Sequence, residues 1–246
     1  PKLDTERLQL AENITETIIL AGYSDLEESA QLLDQGVDSY CSTATDDGLA
    51  EVQQLWWDSR QYIKEMEYGT FGPYWAPPER IGPKLDFWPV RTESIDEVLL
   101  GDLSLDADSF YSYGASIKGF PALEYLLYGT HDRTNPRYCT YLKAMSTDLV
   151  VQSAELKTAW DPTAGNYLGT VLDPNGEGIT NEHVNEFMAE LVNQLGHTLA
   201  NIRTLKLQKP VGEDIGSPQL DKLESRYSHR SLLDIRDNIV GIQNVF

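Results

Sequence analysis

NPRYCTYLKAMSTDLVVQSAELKTAW, residues 135 to 160, decides the fold class. Asn135-Pro136 reads as a helix start, because an asparagine side chain can accept from orphan backbone donors and proline suits the first turn. Behind it Tyr138, Leu142, Met145, Leu149, Ser153, Leu156 and Trp160 recur at three- and four-residue steps, which is one face of a helix.

The same period returns on both sides. Upstream, Leu26, Ala30, Leu33, Val37 and Tyr40 form one apolar face. Asp46 or Asp47 can cap a second helix carrying Val52, Leu55, Trp56, Ser59, Ile63 and Met66. Ser94-Ile95-Asp96-Glu97 fits a capping box, and a further helical stretch is expected around 106–117. Downstream of a Gly- and Pro-containing loop at 161–179, Thr180 can cap a helix bearing Val184, Phe187 or Met188, Leu191, Leu195, Leu199 and Ile202. Ser217-Pro218 predicts another helix, and Leu232, Ile235, Ile239, Ile242 and Phe246 predict the apolar face of a last one. Little alternates with period two, so the sequence predicts an all-α protein built of helical bundles.

Residues 69–90 interrupt this pattern. GTFGPYWAPPERIGPKLDFWPV is too rich in Pro and Gly for a regular helix and too rich in large aromatics for a solvated linker. It reads as a long ordered loop packed onto the bundle, a place where functional surfaces tend to sit.

The 246 residues carry a formal net charge of −20 with 41% hydrophobic and 24% charged residues. That charge argues against nucleic acid and anionic lipid as partners, since both repel an acidic surface. No apolar run reaches the roughly 20 residues needed to span a bilayer. Cys41 and Cys139 would pair in an export compartment and remain thiols in the cytosol, and the sequence leaves both open. The chain opens at Pro1 and its last helix shows no C-cap signal, which predicts a processed N-terminus and a natural chain that continues.

Familiar catalytic motifs are missing: no HExxH, no Gly-x-Ser-x-Gly, no Walker loop, no Gly-x-Gly-x-x-Gly. His183 and Glu186, three apart, could reach one metal but lie opposite their helix's apolar series, which favours a solvated face. The residue that asks for an explanation is Glu124, set among Ala122, Leu123, Tyr125, Leu126, Leu127 and Tyr128 after Gly119-Phe120-Pro121. A carboxylate buried without a partner costs several kcal/mol or is neutralised. Glu124 is expected either to make a structural ion pair or hydrogen bond or to serve a metal or ligand, with Arg60, Glu65, Asp86 and Arg91 as the residues that could meet it.

Together these segments resemble the imelysin-like family, named after an insulin-cleaving bacterial peptidase and grouped with iron-regulated envelope proteins. Gly119 to Leu127 resembles its signature segment. Trp57, Arg60, Glu65 and Phe71-Gly72-Pro73 look like its Trp/Arg helix and Gly-Pro turn, and Asp86-Phe87-Trp88-Pro89 like its Trp-Pro loop. Lys206-Leu207, Pro210, Glu224-Ser225, Ser228, Ser231, Asn238 and Gly241 resemble its later pattern.

The resemblance implies two related helical bundles around a cleft: a first at 1–165 with the aromatic loop, and the start of a second at 178–246. It implies an exported protein of the periplasm or outer membrane, with envelope partners and with iron or another divalent metal as the cofactor to expect. Its site would lie around a Gly-x-His-x-x-Glu motif, so Gly119, Pro121, Glu124, Trp88, Arg60 and Arg91 are the expected cleft residues and Glu124 with Glu65 the expected metal ligands. The departure is Pro121, which stands where the family has His and has no ligand atom. The reading is therefore a binding protein for iron or another small ligand, with a metallopeptidase or a ligand-free interaction module as alternatives.

Overall fold

A computed structural model describes residues 2–77, 80–213 and 215–246. The first helix, α1, runs through three continuous segments: Thr5–Ile14, a π-helical stretch Thr15–Ile19, and Leu20–Thr43. Helix α2 spans Asp46–Glu65, and α3 to α6 are the shorter Ile81–Leu85, Thr92–Leu100, Ala107–Ser112 and Gly119–Tyr128. The long α7 covers Pro136–Trp160 and α8 Tyr167–Leu172. Helix α9 spans Asn181–Asn201 and passes into a π-helical stretch Ile202–Gln208; α10 spans Ser231–Asn244. No strand occurs among the described residues, and the fold is all-α as expected.

The core follows from the sequence period. Leu26, Ala30, Leu33, Val37 and Tyr40 of α1 are buried against Val52, Trp56 and Ile63 of α2 and against Tyr138, Leu142, Met145, Leu149, Leu156 and Trp160 of α7. Cys41 at the end of α1 and Cys139 at the start of α7 are joined by a disulfide with a Cα–Cα distance of 5.5 Å. Helix α6 packs onto α2 and α7, and α3 packs onto α6 and α7.

Asn135 and Thr180 cap their helices as expected, accepting from Arg137 N at 2.9 Å and His183 N at 3.3 Å. Other expectations need correction. Thr45, not Asp46 or Asp47, caps α2, because its Oγ1 reaches Gly48 N at 3.1 Å and both aspartates fall inside the first turn. Helix α4 begins at Thr92 rather than at Ser94, with no side-chain cap. The stretch 106–117 is divided into α5 and a 3-10 turn, Ala115–Ile117. Ser217-Pro218 opens only the 3-10 turn Leu220–Lys222.

The largest correction concerns α10. Its inward face is Asp234, Asp237, Asn238, Gly241 and Ile242, while Leu232 is 74% and Phe246 95% exposed. The helix docks on α2 through its polar side because that side meets buried counter-charges.

The aromatic loop is ordered as expected, through a 3-10 turn Gly72–Tyr74 and α3; Pro78 and Glu79 lie outside the described residues. It is pinned to the signature segment at Gly119. That residue sits at φ +84, and a Cβ there would meet the carbonyl oxygens of Leu85 and Lys84 at 2.5 and 2.7 Å. Only glycine combines that backbone conformation with so close an approach.

Candidate functional site

Helices α2, α6 and α10, the loop before α10, and the end of α3 converge on a buried lattice of charge. Arg60 on α2 pairs with Asp86 at 2.6 Å, Glu224 at 3.3 Å and Asp234 at 3.7 Å. One turn on, Lys64 sits among Glu67 at 2.9 Å, Asp86 at 2.7 Å and Glu224. Lys206 closes the far side on Glu67 at 2.7 Å and Glu224 at 3.0 Å. Asn238 accepts from Lys206 at 2.7 Å and donates to the Lys64 carbonyl and to Glu67. Arg230 pairs with Asp234 and Asp237 and lies 5.4 Å over the Trp57 ring.

Burial works to raise the Glu224 and Asp86 carboxyls, but Lys206, Lys64 and Arg60 around the first, and Arg60 and Lys64 around the second, hold both below their ordinary values. Burial likewise opposes the charge on Arg60, and Asp86, Asp234 and Glu224 outweigh it. Charges removed from water cost several kcal/mol each unless paired, and here each is paired more than once.

Glu124 lies beside this lattice and behaves differently. It is 1% exposed, and its Oε1 accepts from the backbone N–H of Tyr227 at 3.0 Å and of Ser228 at 2.8 Å and from the Ser228 hydroxyl at 2.8 Å. No cation forms an ion pair with it among the described residues. Burial therefore dominates and pushes its carboxyl up to about 7, against the pull of the Ser228 donors and of Arg60. The sequence asked what partner Glu124 has, and the structure answers with a loop backbone. Pro121 lies in the first turn of α6, where a missing N–H leaves no intrahelical bond unmade.

The other expected residues divide. Arg60 joins the lattice; Glu65 does not, accepting instead from Gln61 at 2.6 Å and lining a 300 Å³ cavity with Asp25, Tyr62 and Asn244. Arg91 is exposed, its guanidinium 5.3 Å over the Phe87 ring. Trp88 and Phe87 line a cavity of about 560 Å³ together with Trp75, Tyr113, Arg80, Lys84 and Asp86. His183 bonds the Leu172 carbonyl through Nδ1 at 2.9 Å, which accounts for it without Glu186.

Metal ligation is tested by what surrounds the carboxylates. Glu67, Asp86 and Glu224 bring oxygens within 4.8 Å of one another, as a divalent ion would require. The Lys64 ammonium bonds all three, so the position a cation would take is filled by the protein's own. Glu124 has three donors on Oε1 and a carboxyl that burial pushes up to about 7, and it belongs to no group of three candidate ligands among the described residues. Neither set fits a resident metal ion.

Sequence reasoning missed Lys64, Glu67, Arg230, Asp234 and Asp237. For Asp234 and Asp237 the signal was their helical spacing with Asn238 and Gly241 on α10, but Leu232, Ile235, Ile239, Ile242 and Phe246 read as the packed face.

Comparison with known proteins places this lattice in context. The Imelysin family profile matches residues 19–246. The chain is 24% identical over 241 residues to the iron-regulated protein A of Synechococcus elongatus, covering 97% of this chain and 64% of that protein's length. Its fold is similar to an imelysin-like protein from Psychrobacter arcticum, with a TM-score of 0.79 at 18% identity over 98% of this chain and 73% of the other. A structure from Parabacteroides distasonis, described as an iron-regulated protein A precursor, gives the same TM-score at 23% identity over 99% and 74% of the two chains.

Proposed function

Because the chain belongs to the imelysin family, we propose that it is a binding member rather than a peptidase, taking a small anionic ligand in the cleft walled by the aromatic loop. The observation that carries this reading is the division of labour around Asp86. Inward, Arg60 and Lys64 neutralise it; outward, Trp75, Phe87, Trp88 and Tyr113 line the 560 Å³ cavity with Arg80 and Lys84, the Lys84 ammonium lying 4.6 Å over the Tyr111 ring at its edge. Aromatic walls with two cations suit an anion with some planar or apolar surface. A ferric carboxylate chelate is the class that joins this charge to the iron connection carried by the relatives' names. The relative described as a precursor supports an exported protein of the periplasm or outer-membrane envelope, and no helix among the described residues is long and apolar enough to cross a membrane.

Against peptidase chemistry stand Pro121, which has no ligand atom, and the three donors that already occupy Glu124 Oε1.

The test is a tryptophan-fluorescence titration with ferric citrate, with citrate alone as the comparison. Saturable quenching that weakens in Lys84→Met and disappears in Trp88→Ala supports the reading. Equal responses from all three proteins would sink it, as would chelator-sensitive cleavage of a peptide substrate.

A further inference from the structure

Lys84 lines the aromatic-loop cavity with its charge uncommitted. Lys64, Lys118, Lys143, Lys157, Lys206 and Lys222 each hold a carboxylate at 3.0 Å or closer, as a chain of net charge −20 readily allows. Lys84 is half-buried, yet among the described residues its ammonium makes no ion pair and no hydrogen bond. It rests 4.6 Å over the Tyr111 ring instead.

That ring is a prepared holder. The Tyr111 hydroxyl donates to Glu155 Oε1 at 2.7 Å. A phenol bonded to a carboxylate is polarised so that its ring attracts a cation more strongly. Tyr111 sits on α5 and Glu155 on α7, so the holder is anchored outside the loop that carries Lys84. Lys118 shows the contrast: its ammonium also lies over a ring, Phe110 at 5.1 Å, but the Phe110 and Tyr111 carbonyls and Asp148 fix it at 2.9, 3.1 and 3.0 Å. A ring alone leaves all three ammonium donors unused, and an anionic oxygen that accepts them binds the cation more strongly.

Resting on the reading of this cavity as an anion site, we propose that Tyr111 is a positioning residue. It parks the Lys84 ammonium at the cavity edge until a carboxylate ligand enters, and then yields it to the ligand. The flexible four-carbon stem of lysine supplies the reach, and Arg80 lines the same cavity as a second cation. Affinity is lowered by the strength of the ring contact that the ligand displaces. The Tyr111–Glu155 bond thereby tunes the cavity from outside it.

The experiment is reductive 13C-methylation of the whole chain, followed by NMR during titration with gallium citrate, a diamagnetic stand-in for the ferric complex. The Lys84 resonance is assigned by its loss in Lys84→Met. It is expected upfield, from the Tyr111 ring current, and is expected to move downfield as the ligand saturates. In fluorescence titrations with ferric citrate, Tyr111→Leu should tighten binding about threefold to tenfold, and Tyr111→Phe, which keeps the ring and loses the Glu155 bond, by less. Neither should change affinity in a Lys84→Met background. A Lys84 resonance without a ring-current shift overturns the proposal. So does saturation that leaves the resonance in place, or a Tyr111→Leu effect that survives in Lys84→Met. Absence of any saturable quenching refutes the cavity reading itself, and this inference with it.

Discussion

Replacing Glu124 by glutamine separates a buried carboxyl that merely tolerates its niche from one that the fold needs ionised. The amide keeps an oxygen for Tyr227, Ser228 and the Ser228 hydroxyl. It cannot titrate. In the native chain the carboxyl is pushed up to about 7 from an ordinary 4.5, with burial as the leading cause. Between those values the folded state holds a proton that the unfolded state has released. Stability associated with Glu124 is thus complete below the unfolded value, falls as pH rises, and is lost above about 7. The displacement corresponds to roughly 3 kcal/mol, with little solvent screening to discount because the side chain is buried. Thermal unfolding of both proteins from pH 4 to pH 8 measures it. Glu124→Gln should match the native chain near pH 4 and exceed it at pH 8 by up to about 3 kcal/mol, or roughly 5–10 °C in Tm. A variant that loses stability at pH 8 while matching at pH 4 would refute the reasoning, because the ionised carboxylate would then be a stabilising partner.

Three further perturbations probe other parts of the account. Lys64→Met removes the ammonium shared by Glu67, Asp86 and Glu224 and should cost about 3–5 kcal/mol by denaturant unfolding; added manganese or zinc should restore part of that loss in the variant while leaving the native chain unchanged. Gly119→Ala should destabilise by about 1–3 kcal/mol from the positive φ alone, more where the Lys84 and Leu85 carbonyls cannot retreat, and should weaken ligand quenching by loosening the aromatic loop. Cys41→Ser opens a bridge spanning 98 residues of sequence and should cost about 4–5 kcal/mol in the chain-entropy account, read as a lower urea midpoint that reducing agent reproduces in the native chain.

The all-α fold was legible because α1, α2 and α7 bury apolar residues at unbroken helical steps, and nothing competes with that signal. The site was legible only in part. Trp57, Arg60, Asp86, Glu124, Lys206, Glu224, Ser228, Asn238 and Gly241 were marked by the resemblance and converge around one buried lattice. Periodicity misread α10, because a helix that docks on buried counter-charges turns its polar residues inward, against the rule that apolar residues mark the core. Arg60 meets Asp234, and Lys206 and the Lys64 carbonyl meet Asn238, from distant segments whose pairing is invisible to any local pattern. The partner of Glu124 was hidden for a similar reason. A nest of backbone donors from Tyr227 and Ser228 carries no side-chain signature apart from one serine.

The most direct test of the central claim is diffraction at the iron absorption edge from crystals soaked in ferric citrate. The account predicts anomalous density in the cavity beside Trp88, Arg80 and Lys84, with Lys64 still bonded to Glu67, Asp86 and Glu224. Iron bound among those three carboxylates, with Lys64 displaced, would contradict it.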